Sequence, residues 1–493
     1  MIKFGTSGYR GIINESFTNH YLSVICYALK EYFNSILIKT PSIAIAYDCR
    51  QGNDPLLTKG SFTHHLVQLL RELGINIYFC NTYTPTPVLS WFILDQKLDG
   101  GLVLTASHNP PNYNGIKFND HYGAPANLKI TSFIEQKAND YFNNQKVPMF
   151  STLKGTFKKV DLAPQFAYYM HNYLKDMFLD NKKSNYLISN LNLIIDTKHG
   201  ACSETWQAAI DTLSISKSKI IHSKALSNFG DKSPNPTDYP SLNTLISKIK
   251  EDKFDLGVSN DPDGDRHILI DETGRYLKPE ETACIIIELL LHLKLPLSTV
   301  ATTVASSGIL KSIAKKHSLS HEETKIGFKF FSDFFLSANS NQSLCIGVES
   351  SGGISISNHT YEKCGFLPAI LILVAISIFK KPLSKLLQDI YEKYGHYIFL
   401  ETSYHYDSSQ KNILLNWIDN VSLNDSLLNY FKPIKLLDKT DGIKIYVSES
   451  SWVLFRLSGT EPVIRIYAES MSSRKAKILI DCSRKVLNGL FNK

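Results

Sequence analysis

No segment of this chain is long and apolar enough to cross a bilayer as a helix. Its longest apolar run, Phe366 to Phe379, has 14 residues and contains Pro368, short of the ~20 that a span needs. That run reads as a buried helix, with no membrane partner expected. Cysteine is sparse and scattered, eight residues at 26, 49, 80, 202, 284, 345, 364 and 482 with no Cys-x-x-Cys pair, which excludes a clustered metal or redox motif. Small buried thiols in a reducing cytoplasm are the simplest reading. Positive charge is not gathered into a tail: the net charge of +7 over 493 residues is dispersed, which argues against nucleic acid and suits a small anionic ligand. Met1 to Thr6 lack the basic and apolar regions of a secretory leader, and a cytoplasmic location is expected. Low-complexity segments and short-period repeats are also missing.

What is present is an ordinary globular composition, 43% hydrophobic and 20% charged, in a length that predicts three or four domains. Apolar, β-rich runs such as Ser42–Tyr47 and Gly101–Thr105 alternate with helical lengths such as Tyr21 to Phe33 and Lys59 to Leu73. That alternation predicts βαβ units around mostly parallel sheets. The pattern restarts at Leu191–Asp196, with a helix after Ser203, and again at Asp255–Val258. Asn181 to Asn190 and Ser227 to Pro240, rich in Asn, Lys, Ser and Pro, read as junctions or long loops. The strand-like runs Gly442–Val447 and Trp452–Leu457, followed by a helix from about Ser473, predict a smaller α+β domain at the end.

Two motifs carry most of the chemistry. The strand-like run Leu102–Thr105 delivers Ser107, in Thr-Ala-Ser-His-Asn-Pro, to the carboxyl edge of a sheet, where open α/β folds place reactive groups. Ser107 there is a nucleophile, a phosphate carrier or a helix cap, and the adjacent His108 is a base or a structural ring. Far downstream, Asp261-Pro-Asp263-Gly-Asp265-Arg266 lies between two strand-like runs. Carboxylates at i, i+2 and i+4 in a loop direct oxygen donors at one hard cation. An EF-hand fails because Arg266 stands where that loop needs glycine and its flanks are strands. An aspartyl phosphatase, with Asp261 or Asp263 attacking, leaves the serine motif unexplained. A plain polar turn leaves three repelling carboxylates without a cation.

Three further loops bear polar groups. Arg456-Leu-Ser458-Gly459-Thr460-Glu-Pro, with Arg465, combines guanidiniums, hydroxyls and backbone amides in the way a phosphate dianion requires, or is a plain Ser-Gly turn, a reading that the two arginines disfavour. Gly347-Val-Glu349-Ser-Ser351-Gly-Gly353 offers acceptors and donors to sugar hydroxyls, or is an ordinary turn. Phe4 to Gly11 places Arg10 in a glycine-rich corner.

In this order, the five motifs resemble the α-D-phosphohexomutase superfamily of phosphoglucomutases, phosphomannomutases and phosphoglucosamine mutases, from residue 3 to about residue 469. The resemblance implies an α/β fold of four domains around a central cleft, three related α/β domains with mixed sheets and a C-terminal α+β phosphate-binding domain. The limits expected on that basis are 1–150, 151–275, 276–385 and 386–493. It also implies a phosphoserine at Ser107, which joins Asp261, Asp263 and Asp265 around Mg²⁺. Arg456, Ser458, Gly459, Thr460 and Arg465 match the loop for the non-reacting phosphate, and Glu349 and Ser351 the readers of sugar hydroxyls. Arg10, His108, Lys117 and Arg266 match the family's catalytic polar groups, with Lys117 the preferred proton-transfer residue. Lys329, in Gly327-Phe328-Lys329, matches a loop that orients the sugar.

The chain departs from the family pattern at Gly353, where some members carry histidine, and at Cys364, where relatives commonly carry aspartate and altered packing is expected. The expectation is a Mg²⁺-dependent mutase that interconverts hexose 1-phosphate and 6-phosphate, glucose first and mannose second, with glucose 1,6-bisphosphate as activator and intermediate. Phosphoglucosamine mutase and a non-catalytic sugar-phosphate binder are the alternatives, and a metal-dependent phosphatase is a third. A monomer or homodimer is expected.

Overall fold

The computed structural model describes residues 1–5, 7–144, 147–148, 150–177, 188–457 and 462–491. It contains four sheets in chain order. The first is ordered Tyr9–Ile12, Tyr113–Asn119, Gly100–Leu104, Ser42–Tyr47, Asn76–Cys80 and Phe157–Val160. Its last four strands are parallel and its first two antiparallel. The second runs Tyr276–Leu277, His267–Asp271, Leu256–Asn260, Asn192–Asp196 and Lys217–Ile221, and the third Ser320–Thr324, Leu297–Thr303, Leu344–Glu349 and Gly353–Ile356. Each again joins a parallel set to antiparallel strands at one edge. The central strands are buried on both faces, as at Ala44 to Tyr47 and Leu102 to Leu104, which is why they read as continuous apolar runs.

The fourth sheet, Ile398–His405, Val463–Ser470, Ser451–Leu457, Ile443–Ser448 and Leu436–Asp438, is antiparallel throughout. The helix Ser473–Phe491 packs on it. One hydrophobic core runs from Ile2 to Tyr394, and another, from Tyr406 to Leu490, serves the fourth unit. The strand Phe157–Val160 lies beyond residue 150 yet completes the first sheet, and the helix Leu383–Tyr394 crosses residue 385 and packs on Pro279–His292.

The apolar run forms the helix Leu367–Phe379, buried from Leu367 to Ile376. Among the described residues no single helix is long and apolar enough to cross a membrane, and this helix meets Leu383–Tyr394 at 85°.

A shared local plan positions the site. In each of the first three units a parallel strand turns directly into an antiparallel neighbour. The reversals are Gly100–Leu104 into Tyr113–Asn119, Leu256–Asn260 into His267–Asp271, and Leu344–Glu349 into Gly353–Ile356. The serine, aspartate and Glu349 motifs occupy these three corners.

Candidate active site

Ser107 stands in the first corner with φ +52°, a left-handed conformation that costs a non-glycine residue about 1–3 kcal/mol and persists only where its surroundings enforce it. They do so from both sides. The Ser107 amide donates to Thr105 Oγ1 at 2.8 Å, and Thr105 Oγ1 donates to Asp48 Oδ2 at 2.6 Å. The Ser107 carbonyl accepts from Arg50 Nη2 at 2.6 Å. Oriented in this way, Ser107 Oγ donates to Asp261 Oδ2 at 2.8 Å and lies 3.4 Å from His108 Nδ1.

The second corner holds Asp261, Asp263 and Asp265, all fully buried. Gly264, at φ +67°, makes the tight turn between two of them, and a β-carbon there would lie 2.7 Å from Cys202 Sγ. Asn260 braces the base of the loop, accepting from Trp206 Nε1 and donating to the carbonyls of Arg266 and Gly365. One oxygen from each carboxylate lies within 4.8 Å of the others. Asp263 Oδ1 and Asp265 Oδ1 have no hydrogen-bond partner although both are buried. Three converging carboxylates, two of which keep a buried oxygen without a hydrogen bond, fit a hard divalent cation such as Mg²⁺.

Cations from two other units surround these carboxylates. Lys117 Nζ, on the first unit's antiparallel strand, reaches Asp263 Oδ2 at 2.5 Å and Asp265 Oδ2 at 2.6 Å. Lys363 Nζ, from the third unit, lies 3.4 Å from Asp265 and 3.9 Å from Glu349. Arg266 Nε lies 3.8–3.9 Å from Asp265 and Asp261. Thr86 Oγ1 adds a hydrogen bond to Asp263 at 2.7 Å. Burial, with the charges of Asp263 and Asp265, holds Asp261 well above the carboxylate range. Burial also pushes Asp265 upward, but Lys117, Lys363 and Arg266 override it and hold it well below that range. Burial opposes the charge on Lys117 as well, yet its two carboxylates raise its pKa and keep it protonated. Arg266, followed by burial and Arg10, holds His108 far below the usual imidazole range, so its ring is neutral.

Arg10 Nη1 donates to Asn109 Oδ1 at 2.6 Å, beside the serine. Glu349 joins this group through Lys363, and the third corner packs on the second: His267 N donates to the Gly352 carbonyl at 3.1 Å. A β-carbon on Gly353 would lie 2.6 Å from Lys363 Cδ, so the glycine makes room for the lysine stem. Cys364 is fully buried and its sulfur accepts from Leu367 N at 3.4 Å, at the start of the apolar helix. Lys329 Nζ donates to the Gly5 carbonyl at 3.4 Å, which links the third unit to the loop before Arg10. Ser351 is half-buried in the same turn as Glu349.

Arg456 and Arg465 face each other across adjacent strands of the fourth unit. Like charges placed opposite in this way repel, and among the described residues Asp441 relieves Arg456 at 2.9 Å and Glu401 relieves Arg465 at 3.4 Å. Ser458, Gly459 and Thr460 lie outside the described residues.

Sequence reasoning missed Asp48, Arg50, Thr86, Thr105 and Lys363 as parts of the site. A signal existed for the first two: Asp48-Cys-Arg50 follows the strand Ser42–Tyr47 at the carboxyl edge where Ser107 also lies.

Comparisons with known proteins agree along the chain. Residues 1–145 match the phosphoglucomutase/phosphomannomutase alpha/beta/alpha domain I, 167–274 its domain II, 278–394 its domain III and 425–481 its C-terminal domain. A phosphoglucomutase/phosphomannomutase of Thermococcus kodakarensis is 28% identical, with 98% of each chain covered. A phosphoglucosamine/phosphogalactosamine mutase of Sulfurisphaera tokodaii is 27% identical over 99% of each. Among solved structures, a family protein of Burkholderia thailandensis superposes with TM-score 0.78 at 18% identity, covering 99% of this chain and 98% of that one. An N-acetylphosphoglucosamine mutase of Aspergillus fumigatus, solved with GlcNAc-6P and magnesium, superposes with TM-score 0.54 at 13% identity, covering 99% and 95%.

Proposed function

Because the chain belongs to the phosphoglucomutase/phosphomannomutase family and is thus an isomerase of the phosphohexomutase kind, we propose that it interconverts hexose 1-phosphate and hexose 6-phosphate through a phosphate carried on Ser107. Glucose is the favoured sugar and mannose the next. The observation that carries this reading is the 2.8 Å hydrogen bond from Ser107 Oγ to Asp261, within a buried set of three aspartates.

Asp261, Asp263 and Asp265 would hold Mg²⁺, which supplies charge neutralisation at the transferring phosphoryl group. The rest falls to the chain. Arg10 and Arg266 offer guanidiniums where negative charge spreads over the phosphoryl oxygens. Glu349 and Ser351 orient the sugar by its hydroxyls, and Lys329 helps set which end faces Ser107. The attacking hydroxyl forms a bond to phosphorus as the Ser107 Oγ–P bond breaks. Lys117, the preferred proton-transfer residue, gives a proton to the departing Ser107 oxygen and takes up the one that the attacking hydroxyl releases, with His108 Nδ1 3.4 Å from Ser107 Oγ. The hexose 1,6-bisphosphate then turns over within the cleft, and its other phosphate returns to Ser107. Arg456, Ser458, Gly459, Thr460 and Arg465 hold whichever phosphate is not reacting.

Glucosamine phosphates are the second reading, favoured by the name of the Sulfurisphaera relative, which is as similar to this chain as the Thermococcus one. The test supplies glucose, mannose and glucosamine 1-phosphates with Mg²⁺ and a trace of the matching 1,6-bisphosphate. Rapid 6-phosphate formation without free phosphate, abolished by Ser107→Ala, is expected. Net phosphate release would favour a phosphatase, and turnover that survives Ser107→Ala would overturn the reading.

A further inference from the structure

Arg50 is fully buried at the end of the strand Ser42–Tyr47. Its guanidinium has five N–H donors, and every one is engaged. Nε donates to Asp48 Oδ2 at 3.1 Å; Nη1 donates to the carbonyls of Pro110 and Tyr113 at 2.7 and 2.8 Å; Nη2 donates to those of Ser107 and Asn109 at 2.6 and 2.7 Å. None remains for a substrate phosphate. One rigid fork therefore gathers four carbonyls of the loop that presents Ser107.

The same carboxylate ties the other end of that serine. Asp48 Oδ2 also accepts from Thr105 Oγ1, which accepts in turn from the Ser107 amide. The N–H and C=O of Ser107 are thus clamped by a single linked set, Arg50–Asp48–Thr105, and the clamp holds a φ that serine would not adopt alone.

The clamp is completed from the second unit. The Phe229 ring lies 4.9 Å from Arg50 Cζ and is itself buried, so the face of the guanidinium is covered by a neighbouring domain. Cys49 Sγ donates to the His199 carbonyl at 3.0 Å, across the same joint. The second unit's own corner, Asp196-Thr-Lys198, begins alike: Lys198 N donates to Asp196 Oδ1, as Arg50 N does to Asp48 Oδ1. Lys198 Nζ, however, goes to Ser241 and to Asp196 itself, and gathers only one carbonyl. The arginine appears where four carbonyls must be gathered, a task that a lysine ammonium with three donors and no planar fork cannot perform.

We infer that Arg50 is a positioning residue for phosphoryl transfer: through Asp48 and Thr105 it fixes the Ser107 backbone so that Oγ faces Asp261, and Phe229 makes that geometry depend on the docking of the second unit. This rests on the reading of Ser107 as the phosphate carrier. Misplacement of a reacting atom by about 1 Å costs on the order of 10²-fold in rate, and substrate binding, to which Arg50 offers no donor, should be spared.

The test compares Arg50→Lys, Thr105→Val and Phe229→Leu with the native chain. It measures kcat and KM for the hexose 1-phosphate turned over, the single-turnover rate at which Ser107 is labelled by the hexose 1,6-bisphosphate, and folding by circular dichroism. Arg50→Lys is expected to lower kcat and the labelling rate together by about 10²-fold with KM within about threefold. The two other variants should lower them by about tenfold, again with KM unchanged. Native kcat in a folded Arg50→Lys, or a rise in KM alone, overturns the inference. If Arg50→Lys does not fold, Thr105→Val decides, because it keeps the guanidinium and removes the hydroxyl that joins the Ser107 amide to Asp48; native kcat there overturns the inference too. Ser107→Ala in the same assay separates the two levels. Activity that survives it defeats the phosphoserine reading, whereas its loss beside fully active clamp variants defeats the positioning role alone.

Discussion

Around Asp261, Asp263 and Asp265, three fully buried carboxylates interlock with Lys117, Lys363 and Arg266, whose side chains are 3%, 6% and 16% exposed and come from three units. At Arg456 and Arg465 each guanidinium has one acidic partner among the described residues, and the Arg465–Glu401 pair stands nearly half exposed on both sides. The two regions show how one chain can treat anions in opposite ways. A buried network loses several kcal/mol when one member is removed, because it leaves an uncompensated charge, and its geometry is set before a ligand arrives. An exposed pair such as Arg465–Glu401 contributes ~0–1 kcal/mol and can release its guanidinium to a new anion at little cost, while Arg456–Asp441, 20% and 24% exposed, stands between the two cases. Under the proposed function, the first arrangement would serve the reacting phosphoryl group and the second the phosphate that must be held in either of two orientations.

The largest effect should come from breaking the buried side. Asp263→Asn removes one carboxylate and a partner of Lys117 and Thr86. Turnover is expected to fall by about 10²–10³-fold, and Mg²⁺ binding measured by calorimetry should weaken; native affinity for Mg²⁺ in that variant would contradict the assignment of the three aspartates.

Next comes the joint between the two regions. Glu280, on the third unit's helix Pro279–His292, accepts from Ser307 N, and the adjacent Gly308 amide donates to Glu469 of the fourth unit. Burial, with a contribution from Glu469, pushes Glu280 up from 4.5 to about 7. A carboxyl whose folded pKa is raised binds more protons folded than unfolded, so its contribution to stability is full below about pH 4.5 and is lost as pH rises through 7. Urea unfolding of Glu280→Gln should therefore gain on the native chain by up to ~3 kcal/mol between pH 5 and pH 8. A difference that stays constant with pH would show Glu280 to be ordinary.

The open region should respond less. Arg456→Met, measured with hexose 1-phosphate, is expected to lower kcat/KM by about 10–10²-fold, the worth of a charge-assisted hydrogen bond, with most of the change in KM. Arg465→Gln should cost about fivefold or less. Equal losses in kcat at Asp263 and Arg456 would erase the contrast between the regions.

The legible parts were those encoded locally. Asp261, Asp263 and Asp265 share one loop, so their convergence could be read from spacing, and Ser107 could be placed from the strand before it. Runs such as Ser42–Tyr47 and the helix Leu367–Phe379 were legible because burial on all sides leaves a continuous apolar signal. Strand direction was less legible from the residues alone, whose pattern predicts mostly parallel sheets; the mixed sheets implied by the resemblance are present, and their antiparallel edges arise from corners too polar to read as tight reversals. The strand Phe157–Val160, Phe-Lys-Lys-Val, was invisible because its two lysines face solvent at a sheet edge. Arg50 and Lys363 stayed hidden for a different reason. Arg50 meets its four carbonyl acceptors 57 to 63 positions away, and Lys363 pairs with Asp265 in another unit. Only tertiary folding creates those partnerships.

The central claim, a phosphate that travels on Ser107, is tested most directly by locating that phosphate. The native protein would be incubated with Mg²⁺ and glucose 1,6-bisphosphate, digested, and mapped by peptide mass spectrometry before and after addition of the hexose monophosphate it converts. Phosphate on the peptide bearing Ser107, discharged when the monophosphate is added, is the expected result. Undiminished mutase turnover with Ser107 unphosphorylated throughout would contradict it.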